Sequence, residues 1–310
     1  MSDLSRRTVL ATTAAAAFLP HAATAQSSAK GAGTPIYKRK VPQTGYMLPI
    51  VGIGTSQVFE FENDPAKLEE RKEVIRNLVA GGGSLIDTAA GYGTAEANVG
   101  IVAAETNTRP QLFLATKFSS RDTREQAEAE LKQSFVRLKT NTVDLQQAWN
   151  VNDPNFSCAQ MKEWKAAGHC RHYGITSSFD GAYDALAVVL KREKPEFFQI
   201  NYSLGDRDAE KVLLPLAMDS GSAVLTNLPF GRNSMFKRVA GKPMPDFAKE
   251  IDCTSWAQLF LKYNLSHPAV TAVIPGTDLA KYMLDNLNAG RGRMPDAAMR
   301  RRIEQWWETV

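Results

Sequence analysis

From Ile50 onward, short apolar runs alternate with longer segments whose apolar residues recur every three or four positions. Ile50-Val51-Gly52-Ile53-Gly54, Leu85-Ile86-Asp87 and Leu112-Phe113-Leu114-Ala115-Thr116 are too short for helices and read as buried strands. Ala127, Leu131, Phe135 and Leu138 have helical spacing and predict a helix over 123–139, with Thr123 and Gln126 suited to a capping box. Asp64-Pro65 marks an earlier helix start, Asp as cap and Pro in the first turn; that helix runs to about Ala80 and stops at Gly81-Gly82-Gly83. A helix opens near Thr94. Further strands are predicted over 142–149, 172–177, 197–202, 223–227 and 270–274. Helices are predicted around Met161 and Trp164, over 183–192, 209–218 and 256–263, around 282–287, and at the C-terminus over 297–307. Residues 37–49 suggest a hairpin turning at Thr44-Gly45, and 228–252 reads as a long loop.

Strand-helix units repeated eight times, with near-continuous apolar strands, call for a parallel sheet covered by helices. That number favours an α/β fold of the closed (β/α)8 barrel type, with the hairpin and the last helix as additions. No G-x-G-x-x-G joins a strand to a helix, so a doubly wound dinucleotide fold is disfavoured. In such a barrel the residues just past the strand C-termini face the active site, here Asp87, Tyr92, Lys117, Trp149, Ser177, Gln199 and Asn227.

Length and composition fit this architecture: 310 residues hold one large barrel, and 44% hydrophobic with 23% charged residues is ordinary for a soluble globular protein. The net charge of +4 is spread along the chain without a basic block, which gives no reason to expect a nucleic-acid partner. Neither Cys158, Cys170 and Cys253 nor His21, His169, His172 and His267 form a metal-ligand pattern, and no cysteine spacing demands a disulfide.

The N-terminus changes the picture of location. Ser5-Arg6-Arg7-Thr8-Val9-Leu10 has the twin-arginine pattern, an apolar run extends from Val9 to Leu19, and Ala23-Thr24-Ala25 fits a cleavage site before Gln26. The layout predicts a removed signal over 1–25, a linker over 26–36, a barrel over 37–310, and delivery to the periplasm by the twin-arginine export machinery. The apolar run is too short for a stable membrane anchor. A plain alanine-rich tail is the alternative reading.

Candidate chemistry concentrates in Leu85-Ile86-Asp87-Thr88-Ala89-Ala90-Gly91-Tyr92-Gly93-Thr94-Ala95-Glu96 and in the next strand, ending Ala115-Thr116-Lys117. A carboxylate, a phenol and an ammonium at neighbouring strand ends make an acid catalyst: Lys⁺ favours the phenolate, and Asp⁻ holds and balances the lysine. These stretches resemble the D-T-A-x-x-Y-G and A-T-K motifs of the aldo-keto reductases. The similarity extends over nearly all of the chain after Tyr37, through Gly52-Ile53-Gly54-Thr55, Gly174-Ile175-Thr176, Gln199-Ile200-Asn201-Tyr202-Ser203, Asn227-Leu228-Pro229-Phe230-Gly231 and Ile274-Pro275-Gly276-Thr277.

The resemblance implies hydride transfer from a nicotinamide cofactor to a small carbonyl substrate, with Tyr92 protonating the oxygen, Lys117 tuning Tyr92 and Asp87 pairing with Lys117. It implies cofactor contacts from Gly54, Thr55, Ser56 and Asp87. Thr176, Ser177 and Gln199 would touch the nicotinamide amide, and Pro229, Phe230, Gly231 and Arg232 would wrap the pyrophosphate. Ile274, Gly276, Thr277 and Asp278 would lie along the adenosine, with Asp285 and Asn286 bonded to the adenine.

Three positions depart from the pattern. Asn227 stands where many members place a tyrosine under the nicotinamide, so that stacking contact is lost. Asp144-Leu145-Gln146-Gln147-Ala148-Trp149-Asn150 puts Trp149 where the family has a histidine. Indole is larger and donates through one N–H only. After Ile274-Pro275, where NADP-using members carry basic or hydroxyl residues, the chain has Gly276, Thr277 and Asp278, with Lys281 and Tyr282 beyond. An aspartate disfavours a 2′-phosphate and suits a ribose 2′-hydroxyl. NADP is the family expectation and NAD the alternative. Trp149 also leaves open a member that binds cofactor or a small ligand without turnover, or that serves as an interaction subunit.

Overall fold

A computed structural model describes residues 34–310. The expected export signal, 1–25, and the linker through residue 33 lie outside the described residues. Ile36, the last residue of the expected linker, is buried, and Tyr37 N donates to Gly290 O at 2.9 Å.

The hairpin pairs β1 (Lys38–Lys40) with β2 (Met47–Pro49) antiparallel. Gly45 turns it at φ +78°, a conformation glycine adopts without a Cβ penalty. Strands and helices then alternate: β3 (Ile53–Gly54), α1 (Pro65–Ala80), β4 (Leu85–Asp87), α2 (Ala95–Glu105), β5 (Phe113–Ser119), α3 (Arg124–Arg137), β6 (Val143–Trp149), α4 (Ala159–Ala166), β7 (Cys170–Ser177), α5 (Tyr183–Glu193), β8 (Phe197–Asn201), α6 (Leu213–Asp219), β9 (Ala223–Asn227), α7 (Ser234–Arg238), α8 (Trp256–Leu265), β10 (Val270–Val273), α9 (Ala280–Asn288) and α10 (Ala297–Glu308). β3 to β10 form one eight-stranded parallel sheet in chain order. Bridges Val51↔Val273 and Gly54↔Gly276 join its two edges and close the (β/α)8 barrel.

Local signals account for the helix starts. The Asp64 side chain accepts from Lys67 N at 3.1 Å with Pro65 in the first turn, and both halves of the Thr123–Gln126 capping box form. Ser255 and Asp296 cap α8 and α10 in the same way.

Successive strand side chains point to opposite faces, so every second residue enters the barrel. Leu85, Phe113, Ala115, Leu145, Phe197, Ala223, Leu225, Ala272 and Ile274 meet there and are closed off by Val41 and Leu48 of the hairpin. Two residues further along the same rows stand Asp87, Lys117, Gln147, Gln199 and Asn227. Apolar layers thus fill the base of the barrel, and its polar layer lies at the strand C-termini.

Three elements differ from the pattern-based reading. The first strand is regular only at Ile53–Gly54, because Gly52 and Gly54 lie against neighbouring backbone: added Cβ atoms would sit 2.7 Å from Leu85 O and 2.8 Å from Ile274 O. The single helix expected over 209–218 splits into a 3-10 turn, Asp208–Glu210, and α6. Pro215 lacks an N–H and clashes with the fourth carbonyl before it, so it is accommodated only in a first turn. The expected loop over 228–252 contains α7 and a 3-10 segment, Asp246–Ile251, whose Phe247 packs edge-on against Trp306.

Candidate active site

Asp87 ends β4 and Lys117 lies near the end of β5. Asp87 is in register with Ala115, so Lys117 projects two residues further along the same inward row. Lys117 Nζ donates to Asp87 Oδ1 at 2.8 Å, to Asp87 Oδ2 at 2.7 Å and to Thr88 O at 2.7 Å. All three ammonium hydrogens are therefore used in a site where both residues are buried. Gln147 Nε2 donates to Asp87 Oδ1 at 3.3 Å and Gln199 Nε2 to Oδ2 at 3.1 Å. Gln199 Nε2 also reaches Asn227 Oδ1 at 2.6 Å, linking β8 to β9. Burial lowers the Lys117 pKa, but attraction to Asp87 and then to Tyr92 outweighs it, so Lys117 stands above its ordinary value.

Tyr92 is half-buried on the loop between β4 and α2, its ring centroid 5.2 Å from Lys117 Nζ. Tyr92 N bonds Ala89 O at 3.0 Å and Ala95 N bonds Tyr92 O at 2.9 Å, which curls the loop into the helix. Gly93 follows at φ +51°, and a side chain there would run into the Glu60 carboxylate. Glu96, the last residue of the motif, serves packing: buried on α2, it accepts from Thr116 Oγ1, from Ser134 Oγ at 3.2 Å and from Arg137 Nε at 2.6 Å.

A cavity of about 450 Å³ opens at this end of the barrel, within the range of small-molecule sites. Asp87, Tyr92, Lys117 and Trp149 all line it, as do Gly54, Thr55, Ser56, Thr176, Ser177, Asn227, Pro229, Phe230, Arg232, Ile274 and Gly276. The ring of Trp149 approaches Gly91, where a Cβ would lie 3.5 Å from its Cζ2.

The remaining expected contacts lie elsewhere. Gln199 holds Asp87 from beneath the wall. Gly231 borders a neighbouring cavity of about 330 Å³ with Ser203, Asp206 and Ser234. Thr277 Oγ1 donates to Pro275 O at 3.1 Å and accepts from Asn286 Nδ2 at 3.0 Å, and both side chains are buried. Asp285 accepts from Ser255 Oγ and Gln258 Nε2, each at 2.6 Å, and so fastens α9 to the start of α8. The Asp278 carbonyl accepts from Arg71 Nη1 at 2.5 Å. Thr277, Asp278, Asp285 and Asn286 are thus engaged in loop and helix contacts rather than in the cavity wall.

Gln57, Val58, Asn150, Ser178, Leu228 and Asn233 also line the cavity without having been singled out from sequence. Gln57, Asn150, Leu228, Arg232 and Asn233 have positive φ, five of the ten such non-glycine residues among the described residues, so backbone strain concentrates at this cavity. Gln147, which bonds Asp87, had a legible signal: it lies two residues before Trp149 on the inward row of β6.

His172 sits at the base of the barrel among Tyr46, Phe113 and Phe197, facing Glu196 at 3.5 Å, and does not replace the missing histidine. The three cysteines are free and buried, and burial pushes their thiols up to about 12. Among the described residues no cluster of His, Cys, Asp or Glu is arranged to hold a metal ion, and no helix is long and apolar enough to cross a membrane.

Residues 50–307 match the Aldo/keto reductase family, and the chain belongs to it. Over 296 residues it is 22% identical to an uncharacterized oxidoreductase of Bacillus subtilis, YqkF, covering 83% of this chain and 92% of that one. The aldo-keto reductase YhdN of the same organism is 28% identical over 206 residues, 62% of this chain and 60% of its own. Among solved structures, an aldo-keto reductase from Klebsiella pneumoniae in complex with NADPH is 20% identical with a TM-score of 0.73, covering 88% of this chain and 95% of that one. The holo form of a Bacillus halodurans aldo-keto reductase is 22% identical with a TM-score of 0.69, covering 87% and 96%. These structures share the barrel fold.

Proposed function

We propose that the protein reduces a small aldehyde or ketone with a nicotinamide dinucleotide, NADP first and NAD second, using Tyr92 as proton donor. The observation that carries this reading is Lys117: its hydrogens are spent on Asp87 and Thr88 while its charge lies beside the Tyr92 ring in the cavity wall. A phenol so placed can give its proton to a carbonyl oxygen, and the ammonium stabilises the phenolate left behind. Asp87 fixes the ammonium, and Gln147 and Gln199 fix Asp87.

The cavity suits the cofactor that the family implies. Thr176, Ser177, Ser178 and Asn227 bring hydroxyl and amide groups to the wall, the donors and acceptors that a bound amide needs. Arg232 brings a cation to the wall, and Leu228, Arg232 and Asn233 hold strained backbone beside it. Thr176 and Ser177 would hold the nicotinamide amide, and Pro229, Phe230 and Arg232 the pyrophosphate. When bound, the cofactor supplies the hydride; with the Tyr92 proton on oxygen, the carbonyl becomes an alcohol. NADPH in the Klebsiella relative supports the cofactor class. Gly276 and Asp278 in place of basic groups support a weaker preference for NADP.

A second reading rests on Trp149: a member that binds cofactor or a small ligand, or docks on another protein, with impaired turnover. The Arg6-Arg7 motif and the cleavage pattern at Ala25 support export to the periplasm.

The test is Tyr92→Phe, which keeps the ring and removes the hydroxyl. Carbonyl reduction should fall by about a hundredfold or more, as for a lost general acid, with cofactor binding retained. Near-native turnover in this variant would refute the mechanism. Cofactor binding by the native chain with no turnover of any aldehyde would favour the second reading.

A further inference from the structure

The barrel closes between the first and last strands of the sheet, β3 and β10. The bridges Val51↔Val273 and Gly54↔Gly276 and the bonds from Gly52 N to Val273 O at 2.9 Å and from Gly54 N to Pro275 O at 3.2 Å join them. The loops leaving these two strands carry Ser56, Gln57 and Val58 on one side of the cavity and Gly276 on the other. Between them, from α1, comes the buried side chain of Arg71. Its Nε donates to Val58 O at 2.6 Å, and its Nη1 donates to Asp278 O at 2.5 Å and to Glu70 Oε2 at 3.1 Å. The guanidinium lies over the rings of Phe59 and Phe61, 5.8 and 5.6 Å from their centroids.

We infer that Arg71 is a positioning residue, a clamp across the seam that sets the separation of these two loops and through it the affinity for the cofactor. The inference rests on the nicotinamide-dependent reading above. A planar guanidinium presents donors in fixed, divergent directions and so reaches two carbonyls at once, and packing on aromatic rings holds the fork still. A flexible ammonium has no such fork. Loops already held at the bound spacing lose less freedom when the cofactor enters, which strengthens binding without any direct contact from Arg71.

The experiment compares the native chain with Arg71→Met and Arg71→Lys. Hydrogen exchange without cofactor should rise in both variants in segments 56–61 and 276–280 and stay unchanged in β5 and β6. Cofactor Kd and KM should rise about tenfold in Arg71→Met, while kcat and the carbonyl KM at saturating cofactor stay within about twofold of native. Arg71→Lys should not restore affinity although it keeps the charge. A folded Arg71→Met variant with native cofactor affinity overturns the inference, as does a rise of both KM values together, the sign of a merely structural residue. If Arg71→Met does not fold, Arg71→Lys decides alone: native affinity and exchange in that variant overturn the clamp. Binding by the native chain with unaffected variants sinks only this inference. A native chain that binds no nicotinamide dinucleotide sinks the function reading and this inference with it, whatever the exchange data show.

Discussion

Lys117→Met tests the centre of the site most directly. The substitution keeps a long apolar stem and removes the ammonium. Three charge-assisted bonds disappear, two to Asp87 and one to Thr88 O. What remains is a buried carboxylate with amide contacts at 3.3 Å from Gln147 and 3.1 Å from Gln199, and a carbonyl without its donor. Removing one member of a buried pair costs about 3–5 kcal/mol, because the other charge is left uncompensated. For a chain of this size such a loss lowers Tm by roughly 5–9 °C. The double variant Asp87→Asn with Lys117→Met removes both charges, and should recover about 1–3 kcal/mol relative to Lys117→Met alone. Urea unfolding at pH 7, followed by far-UV circular dichroism, measures both quantities. The sign with pH follows from the raised Lys117 value. The stabilisation is fully present below the unfolded lysine pKa of about 10.4, and it is lost as pH rises through the higher folded value. The gap between native and Lys117→Met should therefore be full at pH 7 and narrow above about pH 10.4. A single variant within about 1 kcal/mol of native, the range of exposed pairs, would refute the argument, as would a double variant no more stable than the single.

Three further outcomes are expected. Trp149→His shrinks the side chain and restores a two-sided hydrogen-bonding ring, so turnover of small aldehydes should rise with little change in cofactor affinity. A folded, cofactor-binding variant that gains nothing on any aldehyde means that indole is not the limiting feature. Fluorescence titration with both reduced cofactors should show only a mild NADP preference, and a ratio of around a hundredfold, about 2.7 kcal/mol, would contradict the weight placed on Gly276 and Asp278. Replacing Arg6 and Arg7 together by Lys should retain the protein in the cytoplasm, and unchanged export of that double variant would rule out the twin-arginine reading.

Sequence by itself determined the elements and most of the reacting groups. The short apolar runs of β4 and β5 and the helical spacing of 127–138 are local properties that need no partner to be legible. So are the caps at Asp64 and Thr123, which act within one turn of their own helix. Asp87, Tyr92 and Lys117 were readable because their strand ends are marked by motif. Tertiary structure decided which side chains are spent elsewhere. Asp285 lies in α9 and its partners in α8, so nothing near it in the chain shows that its carboxylate is already bonded. Arg71 looks like any helix-surface arginine until α1 packs beside two loops far apart in sequence. Gln147 and Gln199 hold one carboxylate only because the sheet closes into a barrel and aims three strands at one point. Contacts of this kind depend on closure of the whole sheet, and no local pattern along the chain encodes them.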